Sequence, residues 1–154
     1  MGRVGGNRKW NNNPICSTSP SVDSRMKTRV LIAEDDFIVL EGSLRPIVTR
    51  EFEVVAAVGD GQEAVAAAER LRPDVALLDV SLPRLGGFDV ARKIHAGQPE
   101  CKVLFVSNYR DAAYIQAARE MGAGGYVFKS RVLSELIPAI RIALVGGFYE
   151  PAAK

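Results

Sequence analysis

The stretch RVLIAEDDFIV, Arg29–Val39, passes from an apolar core pattern straight into three adjacent carboxylates, Glu34, Asp35 and Asp36. A short apolar run of this kind reads as a strand covered on both faces. Such strands do not ordinarily end in a clump of negative charge, so these acids need a physical reason. Working outward, similar runs recur at EVVAAV (53–58), DVALLD (74–79), KVLFVS (102–107) and GYVFK (125–129). Helical periods fall between them, at about 37–50, 61–71, 87–97, 111–121 and 133–145. Five strands alternating with five helices predict an α/β, doubly wound fold: a five-stranded parallel sheet covered on both faces by right-handed crossovers. Asp60 with Glu63 makes a capping box ahead of the second helix. Asp111 is placed to cap the fourth helix, and the glycines of MGAGG to end it.

A chain of 154 residues suits one domain and is too short for two of ordinary size. No apolar segment reaches the ~18 residues needed to span a bilayer, and the first thirty residues hold no signal-peptide-like block. Gly6 stands where a myristoylation site wants Ser or Thr. A cytoplasmic location with no membrane attachment is the expectation. Residues 1–28 are rich in Gly, Asn, Ser and Pro without hydrophobic period, which predicts a disordered N-terminal extension. The domain is expected over 29–148, and a tail or truncated linker over 149–154. Met26 is the expected natural start, unless the extension is a mis-assigned leader. The extension carries five of the 20 basic residues and one of the 18 acidic ones, leaving 15 against 17. The net charge of +2 therefore belongs to the extension and argues no nucleic-acid surface. Cys16 and Cys101 lack metal or redox spacing and read as free thiols, Cys101 near the core. His95 reads as a helix-surface residue.

In open parallel sheets, ligands bind beyond the carboxyl ends of the strands. The first strand ends in Glu34-Asp35-Asp36, the third in Asp79, the fourth in Ser107 and the fifth in Lys129. Strands ~4.8 Å apart would bring these groups into one small volume. Two carboxylates ~4 Å apart repel by about 4 kcal/mol at a surface-like dielectric. Either one acid takes a proton or a divalent cation sits among them. Hard oxygen ligands with open positions suit Mg²⁺, which bridges readily to phosphate. Carboxylate, metal, ammonium and hydroxyl together make a phosphoryl-transfer constellation with an aspartate nucleophile.

With those residues placed, the chain resembles the receiver domain of two-component response regulators over about residues 28–148. VLIAEDD resembles the strand and acidic pair, LLDVSLPRLGGFD the phosphoacceptor loop, VLFVS the switch-hydroxyl strand, and GAGGYVFKS the segment with switch aromatic and lysine. The resemblance implies a flavodoxin-like (βα)5 fold with strand order 2-1-3-4-5. It implies that Asp79 accepts a phosphoryl group from a sensor histidine kinase or phosphotransfer protein. Glu34, Asp35, Asp79 and the backbone carbonyl of Ser81 would hold Mg²⁺, and Lys129 and Ser107 would bind the phosphoryl oxygens. Tyr126 would turn inward as Ser107 moves, remodelling the face of the fourth helix, fifth strand and fifth helix, where a homodimer could also form. By the same resemblance Asp36 is a bystander that caps the first helix.

Departures from the family pattern carry their own expectations. Asn108 stands where Ala is usual, and Ser81 and Tyr109 flank the hydrolytic water's path without a carboxylate or amide, which predicts slow autodephosphorylation. Tyr109 could instead simply pack on its loop. Ser130 follows the lysine where Pro, and a cis peptide, are common. Pro138 falls inside the fifth helix, where it deletes a hydrogen bond and favours a bend. The function expected is a signalling switch, not an enzyme acting on a metabolite. It would drive a DNA-binding output, as AIRIALVGGFYEP resembles the receiver end of helix-turn-helix regulators, or act alone by protein contact. GGFYEPAAK is too short for a recognition helix, so no direct nucleic-acid contact is expected from this segment. A Mg²⁺-dependent phosphohydrolase of the haloacid-dehalogenase type is the rival, but Ser81 stands where its second acid belongs. A degenerate scaffold is disfavoured because no acid, hydroxyl or lysine is missing.

Overall fold

The computed structural model describes residues 27–151. Its strands are β1 (Arg29–Ala33), β2 (Glu53–Val58), β3 (Val75–Leu78), β4 (Lys102–Ser107) and β5 (Gly125–Phe128). All pair in parallel in the order β2-β1-β3-β4-β5, so the expected sheet and its strand order are borne out. The expected disordered extension lies outside the described residues except for its last two, and Cys16 lies outside them too.

Alternation along the strands splits the core into two layers. Leu31, Ala33, Ala76, Leu78, Val103 and Phe105 pack with α2 (Gly61–Leu71), α3 (Gly87–Gly97) and α4 (Ala112–Glu120). Val30, Ile32, Val75, Leu77, Leu104 and Val106 pack with α1 (residues 37–48) and α5 (Val132–Leu144). Each fully buried Leu or Ile contributes about 1.5–3 kcal/mol, which is what holds a sheet apolar on both faces between helices. Cys101 is buried as expected, and His95 is half-buried on α3. Among the described residues, no helix is long and apolar enough to cross a membrane.

Helix α1 departs from the simple expectation. It runs as Phe37–Val39, a π-helical Leu40–Leu44 and Arg45–Val48, with the Arg45 amide donating to the Leu40 carbonyl. Pro46 is the physical reason: a regular helix would drive its ring into the carbonyl four residues back, and a wider turn relieves that contact. Asp60 accepts from the Glu63 amide at 2.8 Å, while Glu63 reaches back to the Gly59 amide at 3.3 Å, one residue earlier than the expected box. Asp111 occupies the N-cap of α4 but makes no side-chain cap; its backbone carbonyl takes the Tyr114 amide instead. Gly122, at φ +88°, ends α4, and the Ala123 amide returns to the Ala118 carbonyl, the Schellman pattern. Pro138 lies inside α5, whose 13 residues continue through it. No described peptide bond is cis, including the one before Ser130.

Candidate functional site

The carboxyl ends of β1, β3 and β5 bring the acids and the lysine together. The Glu34 amide donates to the Val58 carbonyl and the Asp79 amide to the Ala33 carbonyl, both at 3.0 Å, so the ladder extends one residue past each strand and aims both side chains. Carboxylate oxygens of Glu34, Asp35 and Asp79 all lie within 4.8 Å of one another. The Lys129 ammonium stands 3.0 Å from Asp79 Oδ2 and 3.0 Å from Glu34 Oε1. Glu34 is 1% exposed and Asp79 5%, while Asp35 is open to solvent.

The electrostatics follow from that burial. Desolvation pushes the Glu34 carboxyl above its ordinary value; hydrogen bonds from the Asp36 amide and Lys129 pull it back, and the Asp79 charge adds to the rise. Burial alone would lower Lys129, but its bonds to Asp79 and Glu34 outweigh it and leave the ammonium raised. Lys129 is thus held charged, and Glu34 is primed either to take a proton or to meet a cation. Glu34 Oε1 is buried without a well-formed hydrogen bond, although the ammonium is near it. A buried carboxylate oxygen met only by the ammonium, two further acids and an open side fit a hard divalent ion such as Mg²⁺.

Asp35, Asp79 and Lys129 line a cleft of about 470 Å³ together with Asp36, Ser81, Ser107, Asn108 and Tyr109. Asp36 Oδ1 caps α1, accepting from the Ile38 and Val39 amides at 2.9 and 3.3 Å, as expected. The Ser81 amide donates to Asp79 Oδ1 at 3.2 Å. Ser107 is fully buried, and its Oγ accepts from the Tyr109 amide at 3.0 Å. Tyr126 is fully buried, pointing inward, and its hydroxyl donates to the Tyr109 carbonyl at 2.8 Å.

The backbone behind Asp79 is held tightly. A Cβ on Gly87 would fall 2.3 Å from the Asp79 carbonyl oxygen, so the start of α3 abuts the Asp79 backbone closely enough to require glycine. The following loop is pinned to α2 by the Gly61 amide on the Pro83 carbonyl and by Arg84, at φ +70°, pairing with Asp60 at 3.2 Å. A non-glycine residue at positive φ costs about 1–3 kcal/mol and persists where its surroundings dictate it.

Four contacts, made by Tyr109 and Arg110, escape sequence reasoning. Ser81 Oγ donates to the Tyr109 hydroxyl at 3.0 Å, and the Tyr109 ring stacks on Tyr114 with centroids 4.8 Å apart. Tyr109 therefore flanks the cleft and packs on its surroundings at once. Arg110 lies over Phe128 at 4.5 Å and donates to Ser130 Oγ at 2.7 Å, tying the loop after β4 to the loop after β5. Residue type marks Tyr109 as unusual but does not say whom it meets, and Arg110 carries no signal at all.

Comparison with known proteins agrees with this geometry. The family model of the response regulator receiver domain matches residues 30–141. The transcriptional regulatory protein DegU of Brevibacillus brevis is 35% identical over 124 residues, 80% of this chain and 52% of that protein. PdtaR of Mycobacterium tuberculosis, also a transcriptional regulatory protein, is 35% identical over 129 residues, 82% of this chain and 62% of that one. The crystal structure of a LuxR-family two-component response regulator from Aurantimonas sp. SI85-9A1 superposes with a TM-score of 0.74 at 33% identity, covering 80% of this chain and 89% of that one. The chain thus spans 52% to 62% of the length of these two curated relatives. With its sheet order, its acidic strand ends and this match in hand, the chain belongs to the response regulator receiver domain family.

Proposed function

We propose that this domain is a phosphorylation switch in the cytoplasm, taking a phosphoryl group on Asp79 from a histidine kinase or phosphotransfer protein. The observation that carries the reading is the Lys129 ammonium 3.0 Å from Asp79 Oδ2, inside a cluster of three carboxylates. An Asp79 oxygen forms a P–O bond as the donor's P–N bond breaks, and the imidazole leaves with its electron pair and is protonated. Glu34, Asp35, Asp79 and the Ser81 carbonyl would hold Mg²⁺, which supplies positive charge for the phosphoryl oxygens. Lys129 faces the same oxygens, and Ser107 donates its hydroxyl to one of them. Ser107 Oγ also accepts from the Tyr109 amide, and the Tyr109 carbonyl accepts from Tyr126, so a shift of Ser107 toward the phosphoryl group is passed through Tyr109 to the α4–β5–α5 face.

The output is a DNA-binding domain or a protein partner reached through that face, and the same face serves a homodimer; this domain itself makes no nucleic-acid contact. It turns over no metabolite. The phosphohydrolase alternative lacks its second acid, because Ser81 stands there with its hydroxyl engaged by Tyr109. The test is incubation with acetyl phosphate with and without Mg²⁺. The expected product gains one phosphoryl mass only with the metal and loses it to hydroxylamine, as an acyl phosphate does. A hydroxylamine-stable adduct, or none, contradicts the reading.

A further inference from the structure

The described residues after α5, through Pro151, stay packed on the domain. Tyr149 forms a parallel bridge with Gly125 on the outer edge of β5: the Tyr149 amide donates to the Gly124 carbonyl at 2.9 Å, and the Tyr126 amide to the Tyr149 carbonyl at 3.0 Å. Side chains then alternate across that edge as on a strand. Phe148 packs on the core layer beneath α4, with the Arg119 guanidinium 4.3 Å over its ring. Tyr149 packs on the α5 layer, where its phenol reaches Glu135. Arg119 also pairs with Glu150, and Pro151 is buried. A Cβ on Gly125 would strike Tyr149 Cβ at 2.8 Å, so the close approach depends on glycine there. The start of the β5 edge is thereby paired with the chain's own segment.

One residue connects this contact to Tyr109 in the lining of the cleft. Tyr126 gives its side-chain hydroxyl to the Tyr109 carbonyl beside Ser107 and its backbone amide to Tyr149. We propose that Phe148–Glu150 is a coupling strap: it joins α4, β5 and α5 across the β5 edge, and its hold changes with the position of Tyr126. The direction of coupling runs both ways by linkage, so loosening the strap also alters the cleft's affinity for a phosphoryl group. The inference rests on the reading of Asp79 as phosphoacceptor for its trigger, but not for the Tyr126–Tyr149 connection itself.

The test is amide hydrogen exchange by NMR on the whole chain, with and without Mg²⁺ and beryllofluoride as phosphoryl mimic, in wild type and Tyr126→Phe. The Tyr126 and Tyr149 amides are expected to change together by at least about fivefold when the mimic binds. Tyr126→Phe, without any ligand, is expected to change the Tyr149 amide at least about threefold while the central-strand amides of Leu31 and Leu77 keep their rates. Tyr149→Pro removes the bond to Gly124 and should shift mimic affinity by about threefold or more. Mimic binding visible at Lys129 with both strap amides unmoved overturns the strap and leaves the phosphoacceptor reading intact. A cleft that takes up no mimic overturns the phosphoacceptor reading instead; the strap is then decided by Tyr126→Phe, and an unchanged Tyr149 amide overturns it.

Discussion

Lys129 and Asp79 form a buried ion pair, 3.0 Å from Nζ to Oδ2, in which the lysine is shared with a second buried acid, Glu34. One cation therefore answers two buried carboxylates, with Asp35 close by. Removing the cation should cost far more than removing either anion.

Lys129→Met is predicted to destabilise the metal-free domain by about 3–5 kcal/mol, because it strands two carboxylates away from water. Asp79→Asn should cost much less, since it also removes one of the mutually repelling charges. Mg²⁺ should stabilise Lys129→Met more than wild type. Urea denaturation with and without the metal measures all three, and equal midpoints for wild type and Lys129→Met would contradict the pairing.

Gly87→Ala should destabilise the domain by about 1–3 kcal/mol and weaken Mg²⁺ binding, since its Cβ would press on the Asp79 backbone. Gly86→Ala is the contrast: its Cβ would meet nothing nearer than the Val80 carbonyl at 3.7 Å, an ordinary contact. Its stability should stay within about 0.5 kcal/mol of wild type. Thermal melts paired with metal titration separate the two.

Cys101 supplies a pH dependence. Burial, helped by the charges of Asp74 and Glu100, pushes its thiol from 9.0 up to about 12. Below pH 9 the thiol is protonated folded or unfolded, so its contribution is fully present. As pH rises from 9 toward 12 only the unfolded chain ionises, and stability falls by about 1.4 kcal/mol per pH unit from this group. Cys101→Ala should flatten that slope in alkaline denaturation curves. Iodoacetamide at pH 8 should leave the Cys101 peptide largely unmodified until urea is added.

The acyl phosphate is predicted to outlast minutes. Ser81 and Tyr109 bond each other beside Asp79, and neither side chain offers a carboxylate or amide to orient a hydrolytic water. Ser81→Asn together with Tyr109→Gln should speed loss of the phosphoryl mass by at least about tenfold. A wild-type lifetime of seconds would contradict this account.

The sheet was legible because its evidence is local and repeated. Strand-length apolar runs, helical periods and acids at Glu34 and Asp79 each follow from a few neighbouring residues, and topology then converges them. The caps were half legible: Asp36 and Asp60 cap as residue type suggests, while Asp111 leaves its side chain unused. The π-helical turn of α1 had a visible signal in Pro46, whose position inside a helical period demands some distortion. The resemblance set Ser81 and Tyr109 beside one water path, but their direct bond, 28 residues apart, had no signal, and neither had the pairing of Tyr126 with Tyr149. Those contacts depend on which side chains the finished fold sets face to face, and no periodicity encodes that.

The most direct measurement is peptide mapping of the site labelled by acetyl phosphate and Mg²⁺. The account predicts a single acyl phosphate on Asp79, abolished by Asp79→Ala and by omission of the metal. A label on any other residue, or one that survives Asp79→Ala, would contradict it.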